Sequence, residues 1–157
     1  MRQPGASEKL AQRLALGVPA LLLAGAYIGE YGFALYPCEM CWWQRYPHFA
    51  AVGLGLVSTV SARRRVLLAL AALAILVSGA IGAFHAGVEY GWWEGLTACS
   101  TPALGGGDPL EAIMNAPLVR CDEVQWSLLG ISLAGWNFLI STVAGIAILV
   151  LLRRPTR

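Results

Sequence analysis

Pro37-Cys38-Glu39-Met40-Cys41-Trp42-Trp43-Gln44-Arg45 interrupts an apolar run and separates one hydrophobic segment from the next. A proline disfavours helical geometry in the residue before it, so Pro37 ends the preceding helix and leaves a new one to start around the first cysteine. Two cysteines separated by two residues at a helix start can close a small disulfide ring. The second thiol is favoured as thiolate by the helix N-terminus and by nearby cations. Arg45 follows Cys41 by one helical turn, which allows its permanently charged guanidinium to lie beside that sulfur. Glu39 acts in the opposite sense, but an arginine fixed one turn away outweighs a glutamate free to point at water. A zinc site would need two more ligands at short spacing. Cys99 and Cys121 are far apart in the sequence with no paired grouping around them, so no metal is expected.

Composition bounds the class. The chain has 157 residues, of which 57% are hydrophobic and only 13% charged, with a mean hydropathy of +0.62. Soluble domains carry about 25% charged residues, so this is read as a membrane protein. Leu14 to Gly29, Tyr46 to Ala62, Val66 to Gly87 and Val124 to Leu152 are free of Asp, Glu, Lys and Arg. They give four membrane spans over approximately 14–35, 42–62, 66–88 and 124–152. The second charge-free run is the shortest, and it borrows a turn from Trp42 and Trp43 at the interface. The expected fold is an all-α membrane protein, a four-transmembrane-helix bundle forming one integral membrane domain over 1–157.

Charge placement sets the orientation. Arg2, Lys9, Arg13, Arg63, Arg64, Arg65, Arg153, Arg154 and Arg157 fall on one side of a four-span chain, and by the positive-inside rule that side is cytoplasmic. Both termini are then cytoplasmic. The outer loops hold Glu30, Glu39, Glu89, Glu94, Asp108, Glu111, Asp122 and Glu123 against only Arg45 and Arg120. All four cysteines face outward, one pair in each outer loop, in an oxidising compartment where they are expected to pair. The net charge of +2 is the sum of two opposed faces and does not indicate nucleic-acid binding. The basic start, apolar run and small residues Ala24-Gly25-Ala26 also resemble a cleavable signal peptide. The arginine pattern is explained only if that segment stays.

Smaller features follow from position. Ser7 is a plausible N-cap for the first helix, and Pro19 with its glycine and alanine neighbours reads as packing. Trp42 and Trp43 suit the interfacial belt better than the wall of a ligand site, and His48 is read as interfacial. His85, near the outer end of span three, has two readings that stay open: snorkelling to the headgroups, or a functional polar group at membrane depth. The outer loop 89–123 carries Cys99 and Cys121. Gly105-Gly106-Gly107 makes its middle pliant, and a short turn over Pro109 to Asn115 has an apolar face. Trp136 and Asn137 in span four read as packing and interhelical hydrogen bonding.

Taken together, Cys38-Glu39-Met40-Cys41 with Arg45, His85 before the second loop, Cys99, Cys121 and the following Gln125-Trp126 resemble the DsbB family of bacterial inner-membrane disulfide-bond formation proteins. The resemblance covers nearly the whole chain. It departs from the family in the polar Glu39 within the motif and in a compact loop between Cys99 and Cys121. It implies a thiol oxidase of the bacterial inner membrane, its active cysteines on the periplasmic side, which reoxidises a periplasmic DsbA-like thioredoxin-fold partner and passes electrons to a membrane quinone. Ubiquinone is the favoured quinone, with menaquinone an alternative. By this resemblance the catalytic residues are Cys38, Cys41, Cys99 and Cys121, and the quinone is met by Cys41, Arg45 and His85. The partner attacks Cys99, the released Cys121 attacks Cys38, and Cys41 is left as the thiolate nearest the quinone. Two other readings compete. One is a vitamin K epoxide reductase-like disulfide or quinone reductase on a similar bundle. The other is a membrane scaffold stapled by structural disulfides, Cys38 with Cys41 and Cys99 with Cys121.

Overall fold

Long runs of Leu, Ala, Val and Ile without a helix-ending signal fold into four helices in the computed structural model, which describes residues 5–96 and 119–154. They are α1 (Ala6–Phe33), α2 (Glu39–Ser58), α3 (Arg64–Glu89) and α4 (Leu133–Arg153), with strands β1 (Ser127–Leu128) and β2 (Ile131–Ser132) between the last two. The first helix is capped by Gly5 rather than Ser7. It stops where Ala34 turns into the left-handed region at φ 54°, and the Leu35 N–H donates to the Gly29 carbonyl at 3.0 Å. That reverse turn, followed by Pro37, sends the chain straight into the cysteine motif. Cys38 is itself the N-cap of α2: its backbone is extended, and its Sγ accepts the Cys41 N–H at 3.3 Å. A side-chain acceptor at this position satisfies one of the amide donors that a helix start leaves open.

The helices form a ring. Neighbours in sequence pack on one another, α4 closes back onto α1, and α1 meets α3 only weakly across the diagonal. Interior positions are small: Ala11, Ala15, Ala51, Ala71, Ala72 and Ala144 surround Leu68, Ile75 and Ile148. Larger apolar side chains such as Leu21, Leu73, Val77 and Val143 point outward and are at least half exposed. Small residues inside and bulky apolar ones outside suit a lipid solvent, where close backbone approach drives association. The approach is tightest where Gly82 of α3 meets α4. A Cβ added there would lie 2.9 Å from the Ala134 carbonyl oxygen.

Three of the four helices, α1, α3 and α4, are long and apolar enough to cross a membrane. The 20-residue α2 has the length, about 30 Å at 1.5 Å per residue. Its N-terminal half, however, carries Glu39, Gln44, Arg45 and His48. The charge-free run over 124–152 is not helical throughout, because α4 starts at Leu133. Before it, Ser127 pairs with Ser132 and Leu128 with Ile131, and both turn residues, Leu129 (φ 55°) and Gly130 (φ 78°), are left-handed. A two-residue hairpin turn needs that conformation to match strand twist, and Gly130 supplies it without strain. Ser132 then caps α4 by accepting the Gly135 N–H at 3.1 Å.

Candidate active site

The turn after α1 and the cap of α2 bring the two motif sulfurs to 3.1 Å, with the Cys38 thiol donating to Cys41 Sγ. Cys38 is buried and Cys41 half-buried. The Cys38 thiol pKa is pushed up, first by the hydrogen bond to Cys41 and then by burial, so Cys38 holds its proton while Cys41 is the sulfur positioned to lose one. Around them pack Met40, Val88 and Val119, together with Cys121, which is buried and within side-chain reach of Cys38. Cys121, from the segment between α3 and α4, therefore lies against the first pair. Cys99 lies outside the described residues, as do the glycine run and the short turn expected after it.

His85 belongs to this cluster and does not snorkel. It is 2% exposed, its Nε2 lies 3.5 Å from Cys38 Sγ, and its Nδ1 is 2.8 Å from Gln44 Nε2. Since an amide nitrogen donates, Nδ1 accepts and the ring proton sits on Nε2, toward Cys38 and Glu89. Glu89 Oε1 is 3.8 Å from that nitrogen. Arg45 is also buried, and its hydrogen bonds run to α1: one to Glu30 Oε2 at 2.5 Å and one to the Ala26 carbonyl at 3.4 Å. Its guanidinium carbon lies 4.8 Å from the ring centres of both Tyr27 and Trp42. Cation–π contact and an ion pair together fix a charge that α2 could not otherwise bury.

Below the sulfurs a polar network crosses the bundle. Asn137 Nδ2 donates to Gln44 Oε1 at 2.8 Å and to Ser78 Oγ at 3.1 Å, and Asn137 Oδ1 accepts from His48 Nε2 at 3.0 Å and Ser141 Oγ at 2.9 Å. Ser78 also donates to the Gln44 carbonyl at 2.8 Å. The expected interhelical role of Asn137 holds. His48 is not interfacial: it is 3% exposed and bonded to α3 and α4, because helical spacing from Gln44 turns it inward. Contacts at the cysteine-bearing end of the bundle tie the connecting segments down. Tyr90 Oη accepts the Ser132 N–H at 2.9 Å, and Gln125 Nε2 donates to the Tyr36 carbonyl at 2.9 Å.

Gln44, Glu30 and Glu89 were missed as site residues by sequence reasoning. Gln44 had a usable signal, an amide four residues before His48 on one helix face. Glu30 and Glu89 read only as outer-loop charges, because nothing local tells which partner each will meet.

The arrangement suits thiol–disulfide chemistry. Closing Cys38 and Cys41 into a disulfide shortens the contact to about 2.05 Å and releases two electrons and two protons. Comparisons with known proteins agree with this chemistry. The family described as Disulfide bond formation protein DsbB matches residues 8–151. A protein named disulfide bond formation protein B from Verminephrobacter eiseniae is 35% identical, over 92% of this chain and 85% of its own length. Proteins of the same name from Marinobacter nauticus (32% identical, 87% of this chain, 88% of its own) and Polaromonas naphthalenivorans (28%, 97% and 95%) are also similar. No solved structure matches the chain. With a cysteine pair, a third cysteine and a histidine gathered at one end of a bundle of apolar helices, and with this family matching almost end to end, the chain belongs to the DsbB family of membrane disulfide-forming oxidoreductases.

Proposed function

We propose that this protein is a protein-dithiol:quinone oxidoreductase of the bacterial inner membrane, with four spans, both termini cytoplasmic and its cysteines on the periplasmic side. It reoxidises a DsbA-like thioredoxin-fold partner and delivers the electrons to a membrane quinone, ubiquinone before menaquinone. The observation that carries the reading is the packing of Cys121 against the Cys38–Cys41 pair, since a relay between two cysteine pairs needs sulfurs from both loops in reach of one another. A partner thiolate attacks Cys99, breaks the Cys99–Cys121 disulfide and forms a mixed disulfide. The Cys121 thiolate then attacks Cys38, and the electron pair of the Cys38–Cys41 bond leaves on Cys41. The second partner thiol releases its oxidised protein from Cys99.

The donor set around Cys41 fits a flat, oxygen-bearing acceptor. Arg45 has five N–H donors, of which Glu30 and Ala26 engage two, and the aromatic faces of Tyr27 and Trp42 lie beside it. When bound, a quinone supplies a two-electron, two-proton sink more oxidising than the partner's own potential of roughly −120 mV. Arg45 orients the acceptor oxygen and keeps Cys41 in its thiolate form, and His85, buried next to Cys38, adds a second N–H donor. Anaerobic mixing with a reduced DsbA-like partner and a soluble ubiquinone analogue tests the reading. Loss of quinone absorbance with the wild type and not with Cys41→Ser is the expected result. No turnover with any quinone, in protein shown to be folded, favours the stapled scaffold.

A further inference from the structure

The sequence spacing argued against a metal because only two closely spaced ligands were visible. Folding adds a third. Cys38 Sγ, Cys41 Sγ and His85 Nε2 all lie within 4.8 Å of one another. Beside them stands Glu89, whose side chain is 8% exposed and whose Oε2 has no hydrogen-bond partner among the described residues. The Ser132 side chain reaches this carboxylate, yet one of its buried oxygens stays unmatched beside the histidine, which leaves negative charge next to the cluster that a cation would offset.

We propose that the dithiol form of this cluster is a zinc site, with Cys38, Cys41 and His85 as its three protein ligands, a fourth position open to a small added ligand, and Glu89 as the carboxylate beside the histidine. With Zn–S near 2.3 Å and Zn–N near 2.0–2.1 Å, a tetrahedral ion asks for S···N separations of about 3.6 Å and an S···S separation of about 3.8 Å. The Cys38–His85 separation of 3.5 Å already fits. The sulfurs, at 3.1 Å, need to part by about 0.7 Å. The sulfur and nitrogen set suits Zn²⁺, and two thiolates cancel its charge in a site largely shielded from water. Two thiol protons leave on binding. The ring proton moves from Nε2 to Nδ1, and the Gln44 amide turns over so that its oxygen accepts it. The amide gives up the bond its oxygen takes from Asn137 and the bond its nitrogen gives to the Met40 carbonyl, so that Gln44 orients the histidine at a cost to the network below. No electrons move, so the disulfide form has no such site. A bound ion takes up both thiolates and competes with disulfide closure. Binding is read at equilibrium without turnover, so the zinc site and the quinone reading fail independently.

The test is anaerobic titration of the reduced, detergent-solubilised protein with Co²⁺, followed by Zn²⁺ competition. The expected result is one equivalent bound with a thiolate-to-cobalt charge-transfer band and tetrahedral ligand-field bands, displaced by Zn²⁺ and absent after oxidation of Cys38 and Cys41. The doubly substituted Cys99→Ser/Cys121→Ser protein should keep the band, which assigns it to the first pair. His85→Ala and Glu89→Gln should each weaken binding by at least about tenfold, the loss that even outer-shell changes cause. Glu89→Gln conserves shape and serves if His85→Ala does not fold. Absence of the band with both thiols reduced overturns the proposal, and so does unchanged affinity in a folded His85→Ala or Glu89→Gln protein, which would mean chelation by the dithiol alone.

Discussion

Cys38 and Cys41 share a motif yet not an environment, and their difference is one of hydrogen bonding and burial. Cys38 donates to Cys41 and is shielded, which raises its pKa and keeps it protonated through neutral pH. Brief alkylation of the reduced protein near pH 7 should therefore modify Cys41 first, with Cys38 reacting only as the pH is taken well into the alkaline range. Peptide mass spectrometry reads the order, and prior labelling of Cys38 would reverse the roles given to the two sulfurs. At Arg45 a structural and a functional role coincide. Its side chain and that of Glu30 are only 7% and 13% exposed, so Arg45→Ala leaves a buried carboxylate unpaired at a cost of about 3–5 kcal/mol. Arg45→Lys keeps the charge and loses the planar fork. It should hold most of the thermal stability and still raise the apparent quinone KM; an unchanged KM would leave Arg45 with the ion pair alone. Cys121→Ser, finally, should trap a mixed disulfide between Cys99 and the dithiol partner, visible on a non-reducing gel. No trapped species from that variant counts against the order of attack.

Between elements, polar groups fix where the helices touch. Asn137 of α4 joins α2 and α3 through Gln44, His48 and Ser78, and it also holds Ser141. Single hydrogen bonds between membrane helices contribute about 0.6 kcal/mol on average, with a maximum near 1.7. Losing several at once, Asn137→Leu should destabilise the bundle by about 1–2 kcal/mol, measured by unfolding in mixed micelles. Gly82→Val acts at the same junction by steric means, since its side chain meets the Ala134 carbonyl and the Gln44 and Asn137 amides. It should separate α3 from α4 and disturb His85 through Gln44, so quinone-linked turnover falls together with stability. A Gly82→Val protein with wild-type melting would show that this contact is not close in solution.

At the scale of the whole molecule, the four helices among the described residues put Arg64, Arg65 and Arg153 at one end of the bundle and Cys38, Cys41 and Cys121 at the other. Fluorescent-protein fusions at either terminus should fluoresce, and a membrane-impermeant maleimide should reach Cys99 in the reduced protein of intact spheroplasts. A dark C-terminal fusion would remove the four-span topology. Much of this was legible in the chain because lipid imposes length and apolarity on every span, and charge asymmetry is written residue by residue. The sequence by itself therefore determined the family, the cysteine pair at a helix start, and that long apolar helices build the chain. It could not determine that α4 begins at Leu133, since Val124 to Ser132 is as free of charge as a span and only the paired strands and the left-handed turn mark it off. Nor could it say that His48 turns inward, that Arg45 reaches Glu30, or that Glu89 stands beside His85 and the sulfurs. Those contacts join residues from different helices, and hydrophobic patterning records how apolar each position is without recording what it faces. Only the packing of α2 against α1, α3 and α4 decides that, because a buried polar group takes whichever partner the neighbouring backbone brings within hydrogen-bond reach.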